Sequence, residues 1–143
     1  MTTSDWSQVE RPIPVPTELS QPFWDAARDE RLVMQHCQDC GNWQHPPLPT
    51  CTNCVSIDLQ FEEVKGPGTI YSYTLMFHHG DKRFAPAVPY ASIIVELDGA
   101  PGVLIAGNLL GVPYTEAKVG RRVDLVYEKL NDDITLPQFT LAK

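Results

Sequence analysis

The chain has little positive charge, and none of it is concentrated. Eleven Lys and Arg stand against eighteen Asp and Glu over 143 residues, for a formal net charge of -7. Non-specific affinity for nucleic acid comes from counterions released when clustered cations meet phosphates. The nearest approaches to a cluster are the pairs Lys82-Arg83 and Arg121-Arg122, which read as solvated strand ends that at most meet a nucleotide phosphate. Long apolar runs are also missing. Ala91-Ser92-Ile93-Ile94-Val95 and Val103-Leu104-Ile105-Ala106 are strand-sized and fall well short of the roughly 20 residues that cross a bilayer. A soluble, cytoplasmic protein without a membrane partner is expected.

Catalytic signatures are equally scarce. The sequence has no Gly-x-Ser-x-Gly, no phosphate-cradling glycine loop ending in Lys-Ser or Lys-Thr, and no His-Glu-x-x-His; the commonest motif-borne nucleophile, P-loop and zinc-hydrolase chemistries are thereby excluded. His78-His79 before Gly80-Asp81 is the nearest thing to an acid/base set. Adjacent strand residues point to opposite faces, however, and no positioning partner is evident.

What is present is a quartet of cysteines, the only four in the chain: Cys37-Gln38-Asp39-Cys40 and Cys51-Thr52-Asn53-Cys54. Each Cys-x-x-Cys can curl two sulfurs around one ion, and two such knuckles complete a tetrahedral thiolate cage of the kind Zn2+ prefers. Two disulfides are the competing pattern, but no basic-apolar leader ahead of the quartet directs it to an oxidising compartment. Iron fits the same cage, and spacing does not separate the two metals. Gly41 suits the left-handed turn after the first pair, whereas Val55 stands at the equivalent place after the second. His36 and His45 are expected at the ribbon surface or supporting the ligands, because four thiolates already satisfy zinc. A cage of this kind has no open coordination position and is structural. It also consumes every thiol, so the chain keeps no cysteine nucleophile for acyl transfer.

Around the quartet, Pro12, Pro14 and Pro16 predict an extended arm over residues 1–19. Ser20 is placed as N-cap of a short helix from Gln21 to Arg28, with Phe23, Ala27 and either Trp24 or Ala26 on one face. Leu32 to His36 and Asn42 to His45 flank the first pair, and Pro46, Pro47 and Pro49 mark the return loop of a zinc ribbon. Strands are then predicted at Leu59–Val64, Thr69–His78, Tyr90–Leu97, Val103–Leu110, Arg122–Leu130 and Leu136–Leu141. The fold class is mainly β: helix and ribbon over 20–60, and a small OB-fold barrel over 61–143.

Several motifs fall in one order: Pro22-Phe23-Trp24, the two cysteine pairs, Gly66-x-Gly68-Thr69-Ile70-Tyr71-Ser72-Tyr73-Thr74, Val88-Pro89-Tyr90 and Val95-Glu96-Leu97-Asp98-Gly99. Over about residues 20–141 the chain resembles the rubredoxin-type zinc-ribbon plus OB-fold family, long listed as a domain of unknown function and associated with acyl-CoA. It departs from the common pattern at Ala100-Pro101-Gly102. The resemblance implies a non-catalytic accessory subunit in a hetero-oligomer with a thiolase-fold enzyme, and in related systems with acyl-CoA hydratases or aldolases. It implies one structural zinc and a CoA thioester as ligand.

Alternation along a strand would put Tyr71, Tyr73, Leu75 and Phe77 on one face, as core or subunit interface. An apolar groove between barrel and ribbon is the candidate for an acyl-pantetheine arm, with Lys82, Arg83 or Arg121 near the nucleotide phosphates and the proline-rich arm and Phe23-Trp24 clamping the partner. Two other functions share these features: a free-standing OB-fold and zinc-ribbon nucleic-acid binder, which the acidic balance opposes, and an iron rubredoxin-like electron carrier.

Overall fold

The computed structural model describes residues 3–143. Helix α1 (Gln21–Arg28) is followed by β1 (Val33–Cys37), β2 (Trp43–Gln44) and β3 (Leu59–Glu63). Five further strands follow: β4 (Gly68–Met76), β5 (Tyr90–Leu97), β6 (Leu104–Asn108), β7 (Arg122–Lys129) and β8 (Thr135–Leu141). No helix among the described residues is long and apolar enough to cross a membrane.

Helix α1 turns Phe23, Ala26 and Ala27 inward, as the 3.6-residue spacing requires. Its entry differs from expectation. Ser20 has helix-like torsions, φ -92° and ψ -7°, and caps nothing with its side chain. Its hydroxyl is turned back to accept the Thr17 N–H at 2.9 Å, while the Thr17 hydroxyl accepts from the Ser20 N–H at 3.1 Å. The turn closed by Gln21 N–H to Thr17 C=O, at 2.8 Å, starts the spiral one turn early. Thr17 therefore does the capping that Ser20 was expected to do.

The first sheet has the order β2-β1-β3. Strand β3 pairs with β1 along its whole length, from Val33 opposite Glu63 to Cys37 opposite Leu59, so it completes the ribbon and leaves five strands for the barrel. Those five have the order β6-β5-β4-β7-β8. The sheet curls until its outer strands meet, but they touch through one parallel bridge, Leu109 to Phe139, rather than a ladder. The OB-type barrel is thus left partly open. At this seam a Cβ on Gly107 would stand 2.9 Å from the Phe139 ring, which explains a residue without a side chain there.

Ribbon and barrel share one core. Phe23, Leu32 and Met34 belong to the same buried cluster as Ile70, Ile93, Val95, Leu97, Val123 and Phe139. Each such side chain is worth about 1.5–3 kcal/mol of burial, so neither half is indifferent to the other. Ala100, from the atypical Ala-Pro-Gly turn, is fully buried in this cluster.

The described part of the proline-rich arm lies on the chain's own barrel. Trp6 packs against Tyr90 with ring centroids 4.8 Å apart, and the Arg11 guanidinium sits 4.0 Å above the Trp6 ring. Arg11 also reaches Glu128 at 2.7 Å and Asn108 at 3.1 Å. Those partners continue into Gln138, whose Oε1 accepts the Asn108 N–H at 2.6 Å and whose Nε2 donates to Glu128 at 3.1 Å. One polar network thereby ties the arm to the barrel seam.

Candidate metal centre and adjoining surfaces

The ribbon hairpins bring all four sulfurs of Cys37, Cys40, Cys51 and Cys54 within 4.8 Å of one another. Cys37 to Cys54 and Cys40 to Cys51 are each 3.6 Å apart. Four sulfurs at the Zn–S distance of about 2.3 Å in a tetrahedron stand about 3.8 Å from one another, so the donors have the size and chemistry of a zinc tetrathiolate. Cys37 and Cys51 are buried, while Cys40 and Cys54 face outward.

Each knuckle closes on a backbone bond of 3.0 Å, Gly41 N–H to Cys37 C=O and Val55 N–H to Cys51 C=O. Both residues are left-handed, with φ +79° at Gly41 and +66° at Val55. For Val this conformation costs about 1–2 kcal/mol, because Cβ crowds the following carbonyl.

Donors aimed at sulfur favour thiolate. The N–H of Asn53 lies 3.4 Å from the Cys51 sulfur, and the Asn53 side-chain amide lies 3.5 Å from that of Cys40. Backbone donation, from Cys54 first and then Asn53, draws the Cys51 thiol down to about 6. The Asn53 and Asn42 donors lower Cys40 as well. At Cys54 the Ser56 N–H pulls the same way, but partial loss of solvation and the three neighbouring sulfurs prevail and push the thiol up to about 12. Four thiols this close cannot all ionise on their own charge, and a dication is what lets them do so together.

The histidines support rather than ligate. His36 stacks on Trp43 at 4.0 Å and holds Glu62 through Nδ1 at 2.6 Å. His45 packs 5.1 Å from Phe23, and burial lowers its pKa. Residues that sequence reasoning passed over do more: Gln35 and Gln44 are buried and bonded to each other at 2.8 Å. Gln35 binds both the N–H and the C=O of Leu48, at 2.9 and 3.0 Å, and Gln44 binds the Thr50 C=O and the Thr52 N–H. They fasten the proline-rich loop beside the second knuckle. Their inward place in a Gln-His-Cys and Trp-Gln-His alternation was the only available signal.

The other expected contact residues are distributed over the surface. Phe23 is buried, and Trp24 is partly buried against it with ring centroids 5.0 Å apart. Together with Pro46, Ile105, Leu136 and Pro137 they line a largely apolar cleft of about 340 Å³ between helix, ribbon loop and barrel. Tyr71 and Tyr73 do not share a face. Ile70 pairs with Val95 and Ser72 with Ile94, so Tyr71 is the extra residue of a β-bulge. The bulge leaves Tyr71 59% exposed, whereas Tyr73 and Leu75 lean on the core. Phe77 is exposed and meets Tyr114 edge-on at 5.7 Å.

The three cations are not brought together. Lys82 and Arg83 form a one-turn helix after β4, where Arg83 is paired with Asp81 at 2.6 Å. Arg121 lies beside Ile70 near the start of β4 and is paired with Glu116 at 3.0 Å. None of them lines the apolar cleft.

A tetrathiolate knuckle pair on a three-stranded ribbon, fused to a partly open five-stranded barrel, defines the zinc-ribbon plus OB-fold class. Residues 24–58 match the ChsH2 rubredoxin-like zinc ribbon domain, and residues 61–128 match the ChsH2 C-terminal OB-fold domain. The chain belongs to this ChsH2, or DUF35, family, the one its motifs resemble.

It is similar to a chain of the structure described as the Ltp2-ChsH2(DUF35) aldolase, 32% identical with a TM-score of 0.79, covering 91% of this chain and 99% of that one. A DUF35-family protein of unknown function from Sulfolobus solfataricus, 15% identical with a TM-score of 0.63, covers 87% of this chain and 86% of its own and shares the fold. Among curated relatives, a probable enoyl-CoA hydratase alpha subunit of Thermomonospora curvata is 36% identical over 84% of this chain and 37% of its own length. The 3-oxo-4,17-pregnadiene-20-carboxyl-CoA hydratase alpha subunit of Mycobacterium tuberculosis is 30% identical over 73% of this chain and 32% of its own length. The chain thus spans about a third of the length of these curated relatives.

Proposed function

We propose that the chain is a zinc-holding accessory subunit that docks on a cytoplasmic catalytic partner of the thiolase fold and helps present an acyl-CoA to it. The observation carrying this is the 32% identity over 99% of a chain from an aldolase whose name joins ChsH2 to a second component. The hydratase relatives, named for CoA thioesters, support the ligand class.

Cys37, Cys40, Cys51 and Cys54 hold the ion. Bound zinc offers structural crosslinking and no open coordination position. The thiols so committed supply no nucleophile, and the reacting groups come from the partner. The apolar cleft beside Phe23 and Trp24 receives the acyl-pantetheine arm, since it removes alkyl surface from water. Lys82, which has no carboxylate within salt-bridge distance among the described residues, meets phosphate. Arg83 and Arg121, each engaged by its own carboxylate, face the partner's rim, with exposed Tyr71 and Phe77 as apolar contacts and Tyr73 supporting them from the core side.

The test is purification of the tagged chain from its native host, identification of what accompanies it, and calorimetric titration with acyl-CoA. A stoichiometric thiolase-fold protein, and tighter acyl-CoA binding by the pair than by either component, are expected. A chain that purifies alone and binds no tighter in any combination would overturn the proposal.

A further inference from the structure

The two knuckles differ at the residue that follows the second cysteine. An added Cβ at Gly41 would meet nothing within 4 Å, so no neighbour forces a small residue there, and glycine is suited to the turn by its backbone alone. Val55 holds the same left-handed turn at φ +66° and is 72% exposed. Its isopropyl group therefore contributes little packing to offset an unfavourable backbone. Ile57, two residues on, is 83% exposed.

Hydrogen bonds knit this loop into one surface. The Ser56 hydroxyl binds the Asp39 carboxylate, the Cys51 N–H bonds to Ser56 C=O at 2.8 Å, and the Gln38 N–H bonds to Asp58 C=O at 2.9 Å. Val55 and Ile57 are thereby framed by Asp39 and Asp58, both exposed. Glu63 nearby is paired with Arg31 and Lys65, and Glu62 with His36, whereas Asp39 and Asp58 have no cationic side chain within salt-bridge distance among the described residues and give the loop its negative rim. A dication held by four thiolates adds further net negative charge.

We infer that Val55 and Ile57 form the knob by which this subunit docks, and that it fits an apolar socket rimmed by Lys or Arg on the catalytic partner. This rests on the accessory-subunit proposal and adds where the contact is made. Backbone strain retained at an exposed position marks function rather than folding. Two large aliphatic side chains inside a polar frame have the apolar centre and polar rim of a protein interface. A rim of one sign selects the opposite sign, makes association salt-dependent and repels a second copy of itself.

The test places a photo-crosslinking benzoylphenylalanine at Ile57, and for comparison at Phe77 on the barrel, in the tagged chain expressed in its native host. Irradiation should join position 57 to the thiolase-fold subunit, at a peptide containing Lys or Arg. Crosslinks to that subunit from position 77 alone, or from position 57 to a second copy of the chain, would overturn the docking surface and leave the accessory-subunit proposal standing. Absence of any thiolase-fold protein would overturn both.

Val55→Gly provides an independent arm on the purified complex. Melted without its partner, the variant chain should gain about 2 °C in Tm through relief of strain, while its affinity for the partner falls about tenfold or more. Ile57→Ser should weaken affinity similarly with Tm unchanged. Affinity unchanged in both variants would contradict the inference.

Discussion

Both knuckles of the cage turn the chain back with the same 3.0 Å bond, yet one does it with Gly41 and the other with Val55. The first follows the local rule that a left-handed position takes glycine. The second breaks it at an exposed site, and strain that no packing offsets points to a task outside the fold. A zinc ribbon can thus have one knuckle fitted to the metal and another fitted to the metal and to something outside the fold.

Removing the metal abolishes both knuckles at once and should have the largest effect. Cys40→Ser, or chelation of the wild type, should lower Tm by on the order of 10 °C in a calorimetric melt. The loss should reach the barrel, because Leu32 and Met34 carry the ribbon into its core. Separate, unshifted melting of the barrel would show that the halves are independent.

Next in size is the support under the second knuckle. Gln44→Leu takes one donor from the buried Gln35 oxygen, which keeps its Leu48 bond, and leaves the Thr50 C=O and the Thr52 N–H without partners; it should cost about 1–2 kcal/mol by denaturant titration. Copying the second knuckle onto the first sharpens the comparison further. Gly41→Val meets nothing within 4 Å at its new Cβ, so the left-handed strain of about 1–2 kcal/mol, less the glycine entropy it recovers, leaves a cost of about 0.5–1 kcal/mol. The converse change, Val55→Gly, should return about 0.5–1 kcal/mol after the glycine entropy is subtracted.

The smallest effect concerns acid. Bonds from Gln38 and then His36 hold the Glu62 carboxyl below its ordinary value. A depressed acid stabilises the folded state above its unfolded pKa, and that contribution disappears as pH falls through the folded value. The stability difference between wild type and Glu62→Gln should therefore shrink as pH falls below about 4.5. A difference that grows as pH falls below that point would contradict the assignment.

Much of this could be read from the residues. Spacing alone marked the cage, and α1 and β5 have the ends that turn residues and periodicity gave them. What escaped reading was interaction across the chain. Period-two counting along β4 assumed a regular ladder, and the bulge at Tyr71 breaks it. The Ser20 cap was a local rule overridden by a neighbouring threonine. Gln35 and Gln44 look like surface residues until two strands and a loop enclose them. The arm's docking depends on Arg11 meeting Trp6, Asn108 and Glu128, partners that no local pattern links.

An accessory subunit assists a reaction that it does not perform. The most direct measurement compares acyl-CoA turnover by the purified zinc-loaded chain, by its co-purified partner, and by the two recombined. No turnover by the chain alone and full activity only on recombination is the predicted result; turnover by the chain alone would contradict it.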